Sequence, residues 1–171
     1  MHEIGLRILA RRVQLIGAQY DRALVPVISY STDHYFRIFF ANRKGKNEVD
    51  KIMKQLSTLD GAGPMWLGPL WDAQMVKNMT VMAKKRGYMD ILSLLEIIEQ
   101  ESRVQAAGFY DIHEVCSQLK TSIPRKDQLI AAIKKAGYDA SNTHFKGEGI
   151  RSTIPKEKLI EILKKSENLK T

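Results

Sequence analysis

"ASNTHFKGEGIRST" (residues 140–153) sets two short strand-compatible runs around Lys146-Gly147-Glu148-Gly149, with His144 and Arg151 flanking the turn. Glycines at 147 and 149 allow positive φ at little cost, so the segment is expected to reverse direction tightly, as hairpins with three to five connecting residues do. Working outward, the pattern predicts a helix from Asp111 to about Leu119, a break at "KTSIP" (120–124), and a helix from Arg125 to Ala136 stopped by Gly137. A last helix follows Pro155. Helix, helix, hairpin is the order of a winged helix, and it sets the expected fold of residues 105–171: a winged-helix-like module.

The upstream part reads as a different unit, residues 1–104. From Ile4 to Tyr20, Leu9, Val13, Ile16 and Tyr20 fall at helical spacing while Arg7, Arg11 and Arg22 collect near another face, giving an amphipathic helix with a basic side. Leu24–Tyr30 and Tyr35–Phe40 are rich in β-branched and aromatic residues and read as paired strands joined by Ser31-Thr32-Asp33-His34. Asn42 to Gly45 is expected to turn and Asn47 to Leu56 to form a helix. "GAGPMWLGPL" (61–70) is expected to be a strand joining the same sheet. Asp72 is placed to cap a helix ending near Arg86 with Gly87 as its stop, and a second helix spans about Asp90 to Glu101. The fold class expected for the whole is α+β: a small antiparallel sheet with helices, then the winged-helix-like module, with a boundary near residues 104–108.

Composition narrows the function. A chain of 171 residues with 44% hydrophobic and 27% charged residues supports one large or two small cores. No apolar run reaches the roughly 18 to 20 residues of a membrane span, and the N-terminus reads as an amphipathic helix rather than a signal peptide, so no membrane association is expected. A single cysteine, Cys116, excludes an internal disulfide and a zinc site built from several cysteines, in keeping with a cytoplasmic setting. The net charge of +8 favours an acidic partner. It is unevenly spread: residues 1–60 and 109–171 each carry +4 while residues 61–108 are neutral.

Few motifs carry chemistry. Gly61-Ala62-Gly63 begins like a dinucleotide fingerprint, but Trp66 stands where the last glycine belongs and Pro64 leads into a strand rather than a helix. There is no P-loop and no nucleophile elbow. His113 and Cys116 stand three apart on a helix without a third metal ligand nearby, so Cys116 is expected to pack in the core. Asp33-His34 is an acid-base pair in composition, yet turn chemistry explains it in a strand connection without a nucleophile. Trp66, Trp71, Tyr35, Phe36 and Phe39 offer rings for stacking on unpaired bases, although at least half should fill the core. No catalytic or metal-binding residue is expected.

Five blocks together resemble the C-terminal part of the tRNA (guanine26-N2)-dimethyltransferases: "EIGLRIL" (3–9), "SYSTDHYFRIFF" (29–40), "GPMWLGPLWD" (63–72), "FYDIHEV" (109–115) and "THFKGEGIRST" (143–153). The resemblance covers most of the chain in the family's order. It implies a region that binds tRNA and helps present guanosine 26 to an S-adenosylmethionine-dependent methyltransferase domain, in cis or in trans. In the family that domain precedes this region, and "EIGLRIL" resembles the join. None of the family's cofactor-binding glycines or catalytic acidic residues has a counterpart here, so this chain alone is expected to be inactive and to hold no cofactor. Many relatives carry cysteine pairs before "GPMWLGPL"; "STLDGAG" (57–63) has none.

The residues expected to meet RNA are Arg7, Arg11, Arg37, Arg125, Lys126, His144, Lys146 and Arg151. For the hairpin the expectation rests on parity: with Phe145 buried, His144 faces outward on a regular strand, and Arg151 is exposed beside a buried Ile150. The competing reading is a DNA-binding winged-helix regulator with residues 125–136 as recognition helix and 144–151 as wing. That reading gives the upstream half no role.

Overall fold

The structure, a computed structural model, describes residues 2–32 and 35–168. It is a mixed α+β chain with seven helices and three small antiparallel sheets among the described residues, and it divides into two compact units, residues 1–95 and 96–171. The expected division at 104/105 lies nine residues further along. Among the described residues no helix is long and apolar enough to cross a membrane.

The first unit begins with helix α1 (His2–Ala18), followed by the antiparallel pair β1 (Arg22–Thr32) and β2 (Tyr35–Lys44). Their register runs from Arg22 opposite Lys44 to Thr32 opposite Tyr35, so the pairing read from the sequence holds. β2 continues to Lys44, through residues that had been expected to turn. The ladder skips Val27, next to Pro26, which has no N–H to contribute. The freed Val27 carbonyl accepts the Asp72 amide at 2.9 Å, and the Trp71 indole donates to the Ser29 carbonyl at 2.6 Å. Residues 71 and 72 are thereby fastened to β1.

Helix α2 (Lys46–Met53) is shorter than expected because residues 56–59 form a strand, β3 (Leu56–Leu59), that the sequence reading missed. β3 pairs with β4 (Ala62–Trp66), so the glycine- and proline-rich strand belongs to a second two-stranded sheet and does not join β1–β2. Helix α3 (Ala73–Arg86) has the expected ends: the Asp72 carboxylate accepts the Met75 amide at 2.9 Å and Gly87, at φ 71°, closes the other end. α3 buries Val76, Thr80 and Ala83, one stripe at helical spacing. Leu6, Ala10, Ala23, Ile28, Met65, Trp66, Leu70 and Trp71 make up much of the remaining core. α4 (Met89–Glu101) then leads into the second unit.

In the second unit α5 (Ile112–Leu119), capped by Asp111, and α6 (Lys126–Lys135) precede the hairpin β6 (Ala140–Asn142) and β7 (Gly149–Ser152), and α7 (Lys156–Asn168) follows. A two-residue strand, β5 (Tyr110–Asp111), pairs with β7 on the side away from β6, giving a three-stranded order β5-β7-β6 that was not anticipated. Ile112, Val115, Cys116, Leu129, Ile133, Ile150, Ile154, Leu159 and Leu163 form one apolar core. Each such side chain contributes on the order of 1.5–3 kcal/mol by leaving water. The helix positions were legible because this 3.6-residue periodicity is strong.

The hairpin itself differs from expectation. β6 stops at Asn142, and residues 143–148 form an irregular connection in which neither Gly147 nor Gly149 takes positive φ. Gly149 serves close approach instead: a Cβ there would lie 2.5 Å from the Thr143 methyl and 2.9 Å from the Phe109 ring, while one at Gly147 would meet nothing within 4 Å. Gly149→Ala should therefore cost about 1–3 kcal/mol by overpacking. Gly147→Ala should be neutral or slightly stabilising, because only the unfolded chain loses freedom. Urea denaturation of the two variants separates these outcomes, and equal destabilisation would contradict the packing given for the hairpin.

Candidate nucleic-acid interface

Three of the eight residues expected at the surface are interior. Arg151 has 0% side-chain exposure, His144 2% and Arg7 2%. The parity argument fails for His144 because the strand has already ended at Asn142, so alternation no longer fixes where its side chain points. For Arg151 alternation does place it opposite Ile150, but all four residues of β7 are buried, so both faces of this strand are covered.

Glu101, the last residue of α4, explains what covers Arg151. Its carboxylate is fully buried and accepts Arg151 Nε at 3.0 Å and the Thr143 hydroxyl on one oxygen, and His144 Nδ1 at 2.7 Å and the His144 amide at 3.3 Å on the other. Arg151 Nη1 also donates to the carbonyls of Ala106 and Gly108 at 2.6 and 2.9 Å. Glu101 played no part in the sequence reading. It stands 50 positions from Arg151, and no local pattern marks a glutamate at a helix end as buried.

Arg7 repeats the device in the first unit. Its Nε meets Glu3 Oε1 at 2.7 Å, one helical turn away, and its Nη1 donates to the Trp66 and Gly68 carbonyls at 2.9 and 3.0 Å. Neither tryptophan is available for stacking: Trp66 and Trp71 are 1% and 7% exposed, and the Trp66 indole donates to the Pro69 carbonyl.

The remaining candidates do reach the surface. Arg11 is half-buried on α1, whereas Arg37 is exposed on β2. In the second unit Arg125 stands exposed at the start of α6, and the neighbouring Lys126 donates to the Gly147 carbonyl, which brings it to the connection carrying Lys146. Arg125, Lys126 and Lys146 thus form one basic edge, placed by α6 and the hairpin. Lys146 is paired with Asp111. That hydrogen bond raises the lysine's pKa against a smaller opposing effect of burial. At Asp111 burial pushes the carboxyl up, but the Lys146 bond and the Glu114 amide outweigh it and hold the group below the usual carboxylate range. Lys146 shares its charge with Asp111, whereas among the described residues neither Arg125 nor Lys126 is paired with a carboxylate, and Lys126 is held by a carbonyl.

Cys116 is buried in the core while His113 is exposed, so the two do not face one site. Asp33 and His34 lie outside the described residues. In open α/β sheets a nucleoside-containing cofactor lies beyond the carboxyl ends of parallel strands. The described strands pair only antiparallel, and Gly61–Gly63 leads into β4 rather than into a helix. The described residues do not fit S-adenosylmethionine.

The sequence and fold of this basic α+β chain are similar to those of known proteins. The sequence profile described as N2,N2-dimethylguanosine tRNA methyltransferase matches residues 1–61 and 56–164, and the chain belongs to that family. It is 31% identical to a tRNA (guanine(26)-N(2))-dimethyltransferase of Methanobrevibacter smithii over 95% of this chain and 50% of the relative. It is 30% identical to a tRNA (guanine(26)-N(2)/guanine(27)-N(2))-dimethyltransferase of Aquifex aeolicus over 98% of this chain and 49% of that one. Among solved structures, Trm1 from Pyrococcus horikoshii in complex with S-adenosyl-L-methionine superposes with a TM-score of 0.86 at 31% identity, covering 95% of this chain and 49% of that protein. The chain spans about half the length of the curated relatives it matches.

Removing Arg151 leaves the Glu101 carboxylate buried without its strongest partner. Arg151→Ala should cost about 3–5 kcal/mol in denaturant titrations. Arg151→Lys should recover part of that, keeping the charge but not the fork that reaches two carbonyls. An Arg151→Ala variant as stable as the parent would rule out the clamp.

Proposed function

We propose that the chain is the tRNA-binding part of an S-adenosylmethionine-dependent tRNA (guanine26-N2)-dimethyltransferase, acting in the cytoplasm. It holds tRNA so that a methyltransferase domain, in cis or in trans, reaches the N2 amine of guanosine 26. The observation that carries this reading is the match of nearly the whole chain to about half of relatives named for this dimethylation, one of them complexed with the methyl donor. The amine of a paired or stacked guanine is reached by displacing the base, and a platform gripping the phosphates holds the RNA while that happens.

The second unit serves in this reading as a winged-helix-like module. Residues 105–171 supply α5, α6, the β6–β7 hairpin and α7, and residues 96–104 act as a brace that ends in the Glu101 clamp. Its RNA-facing cations are Arg125, Lys126 and Lys146, with Arg37 and Arg11 contributing from the first unit. Arg7, Arg151 and His144 act indirectly, by keeping these surfaces in shape.

Affinity for folded tRNA should fall steeply with salt as phosphate counterions are displaced. The double variant Arg125→Ala/Lys126→Ala should flatten the log–log salt slope by about 1 to 2. Calorimetric titration of the chain with S-adenosylmethionine should show no saturable binding at micromolar concentration. Equal affinity for tRNA and for duplex DNA of the same charge near physiological salt would defeat the reading, as would micromolar cofactor binding.

A further inference from the structure

One face of the β1–β2 hairpin is left unexplained by phosphate binding. Tyr35, Arg37 and Phe39 alternate along β2 and share a face, with Tyr30 directly across from Arg37. Tyr35, at the start of β2, is 48% exposed and Phe39, within the paired strand, 50%, large values for aromatic rings. The opposite face is engaged by α1: a Cβ built at Gly5 would come within 3.0 Å of the Phe36 ring.

The exposed face is organised rather than merely apolar. The Arg37 guanidinium carbon lies 5.3 Å from the Tyr35 ring centre and 5.9 Å from that of Tyr30, within cation–π range. Its Nη1 donates to the Tyr30 hydroxyl at 3.1 Å, and the two tyrosine rings meet edge to face at 6.4 Å. Among the described residues the partners of Arg37 are these tyrosines and not a carboxylate, so what holds the plane does not neutralise its charge.

We propose that Tyr35, Arg37 and Phe39 form a stacking site for an unpaired nucleobase of the bound RNA, a reading that rests on the tRNA-binding function above. Neighbouring side chains on one strand face stand two residues apart, about 6.6–6.8 Å. That is twice the roughly 3.4 Å between stacked bases, so one base fits between the Arg37 plane and the Phe39 ring. Guanidinium planes and aromatic rings are the surfaces on which single-stranded bases stack, and the positive charge attracts the adjoining phosphate. A purely apolar protein surface would gain nothing from an uncompensated cation at the centre of the patch, which is why the occupant is a nucleotide.

The test uses the whole chain with folded tRNA and with a short single-stranded RNA carrying 2-aminopurine. The parent should quench 2-aminopurine fluorescence on binding. Tyr35→Ala and Phe39→Ala, both at exposed positions and checked for parental thermal stability, should weaken binding about 5- to 100-fold without changing the salt slope. Arg37→Lys, which keeps the charge and loses the plane, should abolish most of the quenching while retaining the salt slope. Parental tRNA affinity of a folded Tyr35→Ala/Phe39→Ala double variant overturns the site, and so does an Arg37→Lys variant indistinguishable from the parent. Intact RNA binding with lost association to a methyltransferase half from a relative would also overturn it, marking the face as a protein contact. If the parent does not bind tRNA at all, the tRNA-binding reading fails separately, and quenching with the single strand still decides the stacking site.

Discussion

A buried guanidinium that ties a helix to the carbonyls of an irregular segment is the constraint on which both units depend. Arg7 joins Glu3 on α1 to the carbonyls of residues 66 and 68; Arg151 joins Glu101 at the end of α4 to those of 106 and 108. In each case one Nη1 serves two carbonyls two positions apart, at and just beyond the end of β4 in the first unit and in the connection after α4 in the second. Buried carbonyls without partners are costly, and a planar fork with several donors satisfies two of them at once. Desolvating a guanidinium and a carboxylate offsets much of their attraction, so these pairs contribute less to net stability than to selecting one arrangement of the chain. Loss of either partner is the expensive event.

The same geometry changes how the net charge of +8 is read. A count of lysines and arginines treats Arg7 and Arg151 as surface cations, yet both are neutralised by adjacent carboxylates and shielded from solvent. Lys146 is partly neutralised by Asp111. The outward field in the second unit comes instead from side chains such as Arg125 and Lys126, whose position is set by where α6 begins and by the Lys126 bond to the hairpin connection. The placement of a few charges on rigid elements, more than their total, sets the field such a surface presents to a partner.

The sequence made legible whatever depends on short-range rules. The ends of α3 follow from the oxygen of Asp72 and the backbone freedom of Gly87; the pairing of β1 with β2 follows from composition and spacing; the burial of Cys116 follows from the preference of a free thiol without nearby metal ligands for the core. What escaped were consequences of long-range contact. β3 was missed, its first residue Leu56 read as the end of a helix, because Leu56–Leu59 acquires strand character only from its partner β4. β5 is two residues long, too short to leave a periodic trace. His144 was misplaced because alternation was extended past Asn142, where the strand ends. Arg151 kept its alternation and was misplaced anyway, because a strand can be covered on both faces.

Arg37 shows the converse. Its exposure matches the expectation of a surface cation, but its setting was not legible, since the tyrosines that hold it come from both strands, Tyr30 seven positions before it and Tyr35 two. An arginine in a carboxylate's grip, such as Arg151, is spent on the fold. An arginine held by a phenol and two rings keeps its charge and presents a flat, ordered surface, at small entropic cost on binding because its rotamer is already restricted. The contrast between the two side chains, one enclosed by the fold and one presented to solvent, follows from what each guanidinium touches.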